Sequence, residues 1–371
     1  MTFGSAAWWQ AVQAVGTPLQ QPLGDGRVEL TFLWLDPAGG PAQSDCRRVY
    51  LDVYSHTPHP MQQLTSMERI GDSDVWQWKT SVPEDWRGSY FLMPANSTQL
   101  PPAQSSELRR WWIALMEQAA IADPLNPHPP HSGGWGLPLS ALRLSAPHPV
   151  WPAPQREVQL GRWRSATLGN ERRYWLYRTS SAPDLPLVLL LDGHYWAEHM
   201  PIFAALDALP PAVYLLIDAV NPELRAQELP CNPQFWAAVQ EELLPLAEAT
   251  RDPHRTVVAG QSFGGLAAMY AALHSPQRFG RVLSQSGSFW WQDGMLTRQL
   301  LEGRHSDASL HILLQIGCYE TDMVADNRAI RDALQAAGHR VLYQEYRGGH
   351  DWLCWRDELL AGLSQLLNPS S

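Results

Sequence analysis

The chain has 371 residues, with 27 basic and 37 acidic side chains, so its formal net charge at pH 7 is -10. An apolar fraction of 45% is enough for a sizeable core and argues against intrinsic disorder. The acidic balance argues against a general nucleic-acid binder and against docking on an anionic membrane, since both need a basic face. At roughly 150 residues per domain, the length predicts about two domains.

The N-terminus has no basic leader and no secretory cleavage signal, and no window of the chain is apolar enough to span a membrane. The four cysteines are sparse and none form a CxxC pair, which indicates free thiols in a reducing compartment. We therefore expect a cytoplasmic protein. The histidine spacings match no metal-site pattern, so no metal site is predicted.

The first half of the chain predicts a β-rich domain. Segments 27–35, 48–54, 74–79 and 88–93 alternate or run apolar, with β-branched and aromatic residues, between turn signals. Short strands at this spacing are typical of an immunoglobulin-like β-sandwich, and a short helix is expected around 107–120. Residues 123–155 are dense in Pro and Gly, which predicts irregular chain. We place the boundary there, giving domains 1–152 and 153–371.

The second half alternates strand and helix patterns. Short apolar runs predict buried strands at 187–191, 213–217, 256–259 and 310–316, and helical spacing occurs at 235–248, 266–273 and 326–337. Such alternation predicts a mostly parallel sheet with helices on both faces, a three-layer α/β/α domain.

A possible nucleophile lies between the third of these strands and the helix that follows it. The sequence Gly260-Gln-Ser262-Phe-Gly264 is a GxSxG pattern, in which the glycines allow a sharp turn that projects the serine. In this strand–turn–helix setting, Ser262 is predicted to be the nucleophile of an α/β-hydrolase. The alternative is a purely structural role, in which the serine of a tight turn caps the helix.

The partners of the serine follow from the chain order Ser–acid–His. His350 lies in a Gly-rich loop after the apolar stretch 341–346 and is the predicted base. The acid is expected in the loop after strand 310–316, where Glu320 is the first choice and Asp322 the second. Asp351 is set aside, because adjacent side chains are poorly placed to pair.

An oxyanion hole needs two backbone donors. One is expected on Phe263, directly after the serine. The second is expected from the loop 191–195, with the N–H of His194 as the first candidate.

Several longer stretches resemble the enterochelin (enterobactin) esterases. They are 260–265, 278–287, Trp290-Trp291, 191–196, 225–232, 235–236 and 348–355 in the second half, and 74–78, 86–90 and 121–126 in the first. The resemblance runs from about residue 27 to 365 and is far more specific than GxSxG alone. It implies a cytoplasmic enzyme that cleaves the serine ester bonds of ferric enterobactin so that iron is released.

The resemblance also implies roles for individual residues. Ser262 is then the nucleophile, His350 the base and Glu320 the acid, because Gly317-Cys-Tyr-Glu320 fits the family pattern GxxE. No cofactor is expected, since iron enters with the catecholate siderophore. Residues expected to contact this trianionic substrate are Arg225 and Arg347, by charge, and Trp196, Trp290, Trp291 and Trp352, by packing on its rings.

Three rival functions remain open at this point. The same triad would serve a feruloyl- or S-formylglutathione-type carboxylesterase, or a mycolyltransferase-like acyl transferase, although the latter would act outside the cell. In a different class of function, the β-domain binds glycans through an exposed row of Trp34, Trp76 and Trp78. The resemblance also leaves open whether a cyclic, linear or glucosylated siderophore is the substrate.

Overall fold

The computed structural model describes residues 3–145, 147, 150, 152–305 and 307–368. The chain divides into two compact units, Met1–Pro149 and Val150–Ser371. No helix in the described part of the chain combines the length and the hydrophobicity that a bilayer span requires.

An antiparallel sheet dominates the first unit. Its described strands are β1 (Leu19–Pro22), β2 (Arg27–Leu35), β3 (Cys46–Val53), β4 (Ser66–Arg69), β5 (Val75–Pro83), β6 (Arg87–Asn96), β7 (His131–Ser132) and β8 (Pro138–Arg143). They join in the order β1-β2-β5-β4-β3-β6-β8-β7, and each neighbouring pair is antiparallel. The four strands predicted in this half are confirmed, as β2, β3, β5 and β6.

The α-helices that accompany this sheet in the described residues are α1 (Ala6–Val15) and α2 (Ser105–Ala119). The prediction of a helix around 107–120 is confirmed by α2. Trp112 and Leu115 are three residues apart, so they share one face of α2, and both are buried in a cluster with Tyr50 and Phe91. An apolar face of the helix thus packs against side chains of β3 and β6.

One expectation for this unit was wrong, and one rival function loses its structural basis. Within the stretch predicted to be irregular, β8 pairs with β6 and buries Leu139 and Leu142, because a short apolar run lies among the prolines and glycines. The exposed row of tryptophans that glycan binding would require is not formed by Trp34, Trp76 and Trp78. Trp34 and Trp76 pair across β2 and β5 and are only 6% and 4% exposed, while Trp78 is half-buried.

The second unit is built on a mixed sheet. Its described strands are β9 (Val158–Ser165), β10 (Asn170–Arg178), β11 (Leu187–Leu190), β12 (Val213–Ile217), β13 (Thr256–Gln261), β14 (Arg281–Gln285), β15 (His311–Gly317) and β16 (Arg340–Tyr346). The order is β16-β15-β14-β13-β11-β12-β10-β9. Pairs from β12 through β16 are parallel, and β10 and β9 add an antiparallel edge. The prediction of a mostly parallel sheet is confirmed.

Helices and shorter turns connect these strands. The α-helices are α3 (Phe203–Leu206), α4 (Pro222–Glu228), α5 (Pro233–Ala238), α6 (Phe263–His274), α7 (Trp291–Leu301), α8 (Thr321–Ala336) and α9 (Trp352–Leu367). The segment predicted to be helical at 235–248 is helical as far as Ala247, but it is not one α-helix. It is α5 followed by a π-helical segment, Val239–Leu243, and a 3₁₀ segment, Leu244–Ala247. Pro245 lies in the first turn of the 3₁₀ segment, and its nitrogen cannot donate to the preceding helical turn.

The strand order fixes where a site forms. The chain moves from β11 to β12 on one side, then crosses back and adds β13 to β16 on the other. In open α/β sheets, ligands bind outside the carboxyl ends of the strands where the order reverses. That point lies between β11 and β13, which are followed by the two turns that carry the predicted oxyanion donors.

Candidate active site

The serine predicted to be the nucleophile lies in a sharp turn between β13 and α6. Ser262 has φ 58° and ψ -121°, a strained conformation for a residue with a side chain. A Cβ atom on Gly260 would lie 2.4 Å from the backbone of Gly264, so the turn closes only with glycine at position 260. The turn has the strained strand-to-helix geometry that the GxSxG pattern predicts at this edge of the sheet.

The His350 imidazole and the Glu320 carboxylate meet at the same edge. Nδ1 of His350 and Oε2 of Glu320 are 2.7 Å apart, and the Glu320 side chain is 2% exposed against 38% for His350. Asp322 is exposed in the first turn of α8. Asp351 caps α9, accepting a hydrogen bond from the Leu353 N–H. The structure therefore brings the first-choice acid, Glu320, to the predicted base.

Further hydrogen bonds hold the Glu320 carboxylate. Its Oε1 accepts from the Ser286 hydroxyl at 2.6 Å and from the Gly317 N–H at 2.9 Å. The indole N–H of Trp355 donates to the Ser286 Oγ at 2.8 Å. Because an indole nitrogen only donates, Ser286 accepts from Trp355 and directs its own proton to Glu320. The carboxylate is thus fixed on one oxygen while the other faces His350.

Sequence reasoning missed both Ser286 and Trp355. The signal for Ser286 is weak: polar residues directly follow the short apolar run of β14, at the edge where the site forms. Ser286 also has φ 48°, which marks a constrained turn but is not visible in the sequence. Trp355 lies one helical turn after Asp351, among several other tryptophans.

The nucleophile has a close polar neighbour and two candidate oxyanion donors. Oγ of Ser262 lies 3.4 Å from Oγ of the buried Ser288. Phe263 is the first residue of α6, so its N–H is one of those at a helix start that have no partner within the helix. His194 follows β11, and its Nδ1 lies 3.3 Å from Oδ1 of Asp218. The predicted donors therefore belong to turns after neighbouring strands.

The two arginines expected to bind the substrate have different surroundings. Arg225, on α4, forms a two-pronged ion pair with Asp192: Nε to Oδ1 is 2.6 Å and Nη2 to Oδ2 is 2.7 Å. Its Nη2 also donates to the backbone oxygen of Gln261 at 3.3 Å. Arg347, three residues before His350, is exposed. Only Arg347 has the exposure that contact with a dissolved anion requires.

The tryptophans around the site also differ in exposure. Trp196 is fully buried, and its indole N–H donates to Oε1 of Gln261 at 3.2 Å, so it offers no surface to a ligand here, contrary to expectation. Trp352 is half-buried and stacks on Tyr195, with ring centroids 3.7 Å apart and planes 16° apart. It belongs to the aromatic packing beside the site, with part of its surface exposed.

The remaining pair follows β14. Trp290 is 46% exposed, and Trp291 is half-buried. Both rings lie against Phe263, with centroids 5.8 and 5.6 Å away. Because Phe263 adjoins Ser262, these two tryptophans flank the nucleophile turn.

A row of hydrogen-bonded glutamine side chains crosses the sheet near this edge, and Gln261, Gln285 and Gln315 in it are buried. Nε2 of Gln261 donates to Gln285, that of Gln285 to Gln315 and that of Gln315 to Gln344, at 2.8 to 2.9 Å. Each residue lies on a successive strand, from β13 to β16. The amides therefore link the strands that carry the candidate nucleophile and acid. Within the described ranges, no group of three or more His, Cys, Asp or Glu is arranged to hold a metal ion.

Two family models match the chain. Residues 29–152 match the family "Enterochelin esterase, N-terminal", and residues 165–366 match the family "Putative esterase". Together they account for both units of the structure.

Curated proteins and solved structures match along the whole chain. An iron(III) enterobactin esterase of Dickeya dadantii is 44% identical, over 98% of this chain and 93% of its own length. The enterobactin esterase of Shigella flexneri, crystallised in the presence of enterobactin, is 42% identical with a TM-score of 0.85 and full coverage of both chains. The ferric enterobactin esterase of Salmonella typhimurium is 40% identical with a TM-score of 0.87, covering 99% of each chain.

Proposed function

Because the chain belongs to the enterochelin esterase family, we propose that it hydrolyses the serine ester bonds of ferric enterobactin or a related catecholate siderophore. The observation that carries this proposal is the His350–Glu320 pair at 2.7 Å, at the sheet edge that bears the strained Ser262. The match of residues 29–152 supports the substrate class, since a generic esterase gives no reason for that unit.

In this proposal, the reaction begins with acyl transfer to the enzyme. Ser262 Oγ attacks a lactone carbonyl while His350 takes its proton. Glu320 holds the imidazole with a proton on Nδ1 and stabilises the imidazolium that forms. The developing oxyanion accepts hydrogen bonds from the backbone N–H groups of Phe263 and His194.

The second half of the reaction restores the enzyme. His350 gives its proton to the leaving serine hydroxyl of the siderophore, then removes a proton from a water molecule that attacks the acyl-enzyme. The water's oxygen ends in the new carboxylic acid, and Ser262 regains its proton. Iron is part of the substrate throughout, so the proposed chemistry needs no cofactor of its own.

The solvent exposure of each side chain indicates which of the predicted residues can contact the substrate. Arg347 is placed three residues before the base and would pair with the anionic ferric complex. The exposed face of Trp290 and the half-buried Trp291 and Trp352 would pack on catechol rings. Trp196 would act only by packing beneath the site, since it is fully buried.

The first unit is proposed to be an immunoglobulin-like sandwich. Its order β1-β2-β5-β4 corresponds to the ABED sheet of that fold, and β3-β6-β8 corresponds to the CFG sheet. The short strand β4 pairs with both β5 and β3, and so joins the two groups. The proposed domains are 1–152 and 153–371. We place the enzyme in the cytoplasm because its four cysteines are sparse and none form a CxxC pair.

The main alternative is a generic carboxylesterase with the same triad. It would turn over simple acyl esters but not the siderophore. The glycan-binding alternative has lost its basis, because Trp34 and Trp76 are buried.

The test is incubation with ferric and iron-free enterobactin, with chromatography of the dihydroxybenzoylserine products. The wild-type chain should release these products, and Ser262→Ala should release none. A p-nitrophenyl ester serves as the general substrate in parallel. If the wild-type chain cleaves this ester but leaves both forms of the siderophore intact, the generic carboxylesterase is the better description.

A further inference from the structure

Arg225 joins the two turns that would form the oxyanion hole. Its guanidinium binds both carboxylate oxygens of Asp192, at 2.6 and 2.7 Å, and the backbone oxygen of Gln261, at 3.3 Å. Asp192 lies two residues before His194, and Gln261 lies two residues before Phe263. One side chain therefore contacts the chain just ahead of each proposed donor.

Both turns are strained and closely packed at this point. Asp192 has φ 53°, uncommon for a residue other than glycine, so the conformation needs support from outside the turn. A Cβ on Gly193 would lie 2.6 Å from the backbone nitrogen of Ile217, so the loop also rests directly on β12. A Cβ atom added to Gly264 would lie 3.3 Å from the Asp192 carboxylate. The carboxylate thus sits against the start of α6.

The Arg225–Asp192 pair is buried. This burial decides whether Arg225 binds an anionic substrate or links the two turns. The Arg225 side chain is 16% exposed and that of Asp192 is 1% exposed. Their opposite charges cancel, and the planar fork of the guanidinium is occupied by the carboxylate. Arg225 therefore offers little net positive charge to an anionic ligand, but it fixes the distance between two turns.

A second ion pair anchors the helix that carries Arg225. Glu228 lies three residues later on α4, and its Oε1 is 2.7 Å from Nη2 of Arg172 on β10. Both of these side chains are buried, at 8% and 1% exposed. The helix is thus held to the sheet independently of the Arg225 side chain. The backbone from which the guanidinium extends is therefore fixed in position.

We propose that Arg225 is a positioning residue that holds the oxyanion hole in register, and not a ligand of the siderophore. This inference rests on the proposed esterase function. It assigns Arg225 an effect on the transition state of any ester, including a small neutral one. A substrate ligand would instead act on the anionic ferric complex alone.

The experiment compares Arg225→Lys and Arg225→Ala with wild type on ferric enterobactin and on p-nitrophenyl acetate. A small misplacement of a catalytic group costs up to about 100-fold in rate. We expect kcat to fall by about 10- to 100-fold on both substrates, with KM changed less than about twofold. Added guanidinium should restore part of the activity of Arg225→Ala, because it can occupy the vacated place beside Asp192.

Glu228→Gln is the matched control, because it weakens the other ion pair of α4 without touching either turn. It should lower the urea midpoint of unfolding but leave kcat near wild type. If Glu228→Gln lowers kcat as much as Arg225→Lys, the effect is general loosening of α4 and the proposal fails. A higher KM for the ferric complex, with p-nitrophenyl acetate unaffected, would make Arg225 a substrate ligand instead.

The neutral ester keeps this test separate from that of the proposed function. If the wild-type chain does not cleave the siderophore, the proposed function fails, yet the role of Arg225 is still measured on p-nitrophenyl acetate. If both Arg225 variants retain wild-type kcat on that ester, the positioning role is refuted. Circular dichroism of each variant identifies those that do not fold, and Arg225→Lys retains the charge if Arg225→Ala is lost.

Discussion

Replacing Ser286 with alanine should slow ester hydrolysis without weakening substrate binding. The Ser286 hydroxyl donates to Oε1 of Glu320 at 2.6 Å, and the Trp355 indole fixes its direction. Alanine removes one of the two donors to this oxygen and leaves the Gly317 N–H in place. Glu320 then loses one of the contacts that direct Oε2 toward His350.

The size of the effect follows from the type of bond. A hydrogen bond to a charged group contributes about 1.5–3 kcal/mol. If the whole amount is lost from the transition state, kcat falls by about 10- to 150-fold. The same substitution should also lower the stability of the folded protein, independently of its effect on kcat. The Trp355 indole is buried and loses its acceptor, which costs about 1–3 kcal/mol of unfolding free energy.

The assay measures kcat and KM on ferric enterobactin and on a p-nitrophenyl ester, with urea unfolding in parallel. Ser284→Ala is a matched control: Ser284 lies on β14, two residues before Ser286, is fully buried, and its hydroxyl has no hydrogen-bond partner within the ranges that the structure describes. It should keep wild-type kcat. The reasoning is refuted if Ser286→Ala stays within about twofold of wild type, or if Ser284→Ala loses as much.

Three further predictions concern the acid, the substrate and pH. Glu320→Gln should abolish hydrolysis while Asp322→Asn retains it, and the reverse order in a kinetic assay would reassign the acid. Arg347→Ala should raise KM for the ferric complex about two- to fivefold, consistent with ~0.2–1 kcal/mol for an exposed ion pair; an equal rise for a neutral ester would contradict this. Burial, together with the charge of His305, lowers the pKa of His339 below 6.5, and the His339 Nδ1 accepts the Leu310 N–H. The folded state therefore favours neutral His339, so stability present above pH 6.5 declines as pH falls below it. His339→Asn should flatten that decline in urea midpoints measured between pH 7 and 5, and parallel curves for the two proteins would exclude the effect.

The sequence predicted the elements whose signal is local. Buried parallel strands are short apolar runs, so β11, β12, β13 and β15 were found. GxSxG identified the turn after β13, where close backbone approach requires the glycine at position 260. The edge hairpin of β9 and β10 was missed. Its strands are rich in arginine, and Leu160 is 59% exposed, so neither an apolar run nor clean alternation marks them.

The contacts that organise the candidate site are not local, and this is why they escaped prediction. Arg225 pairs with Asp192, 33 residues away, and Trp355 bonds to Ser286, 69 residues away. A pattern search sees an arginine near a catalytic motif and suggests an anion ligand. Only the folded structure shows that the Asp192 carboxylate already binds the guanidinium of Arg225.

Charge therefore has a narrower role in substrate capture than arginine content suggests. The chain carries a net charge of -10, so its long-range field does not attract an anionic siderophore. Arg225 is neutralised by Asp192, which leaves Arg347 as the remaining predicted cationic contact, and exposed ion pairs contribute at most about 1 kcal/mol. Packing on catechol rings is insensitive to net charge, and Trp290 exposes 46% of its surface beside the nucleophile turn. Aromatic contact should therefore contribute more to affinity than ion pairing.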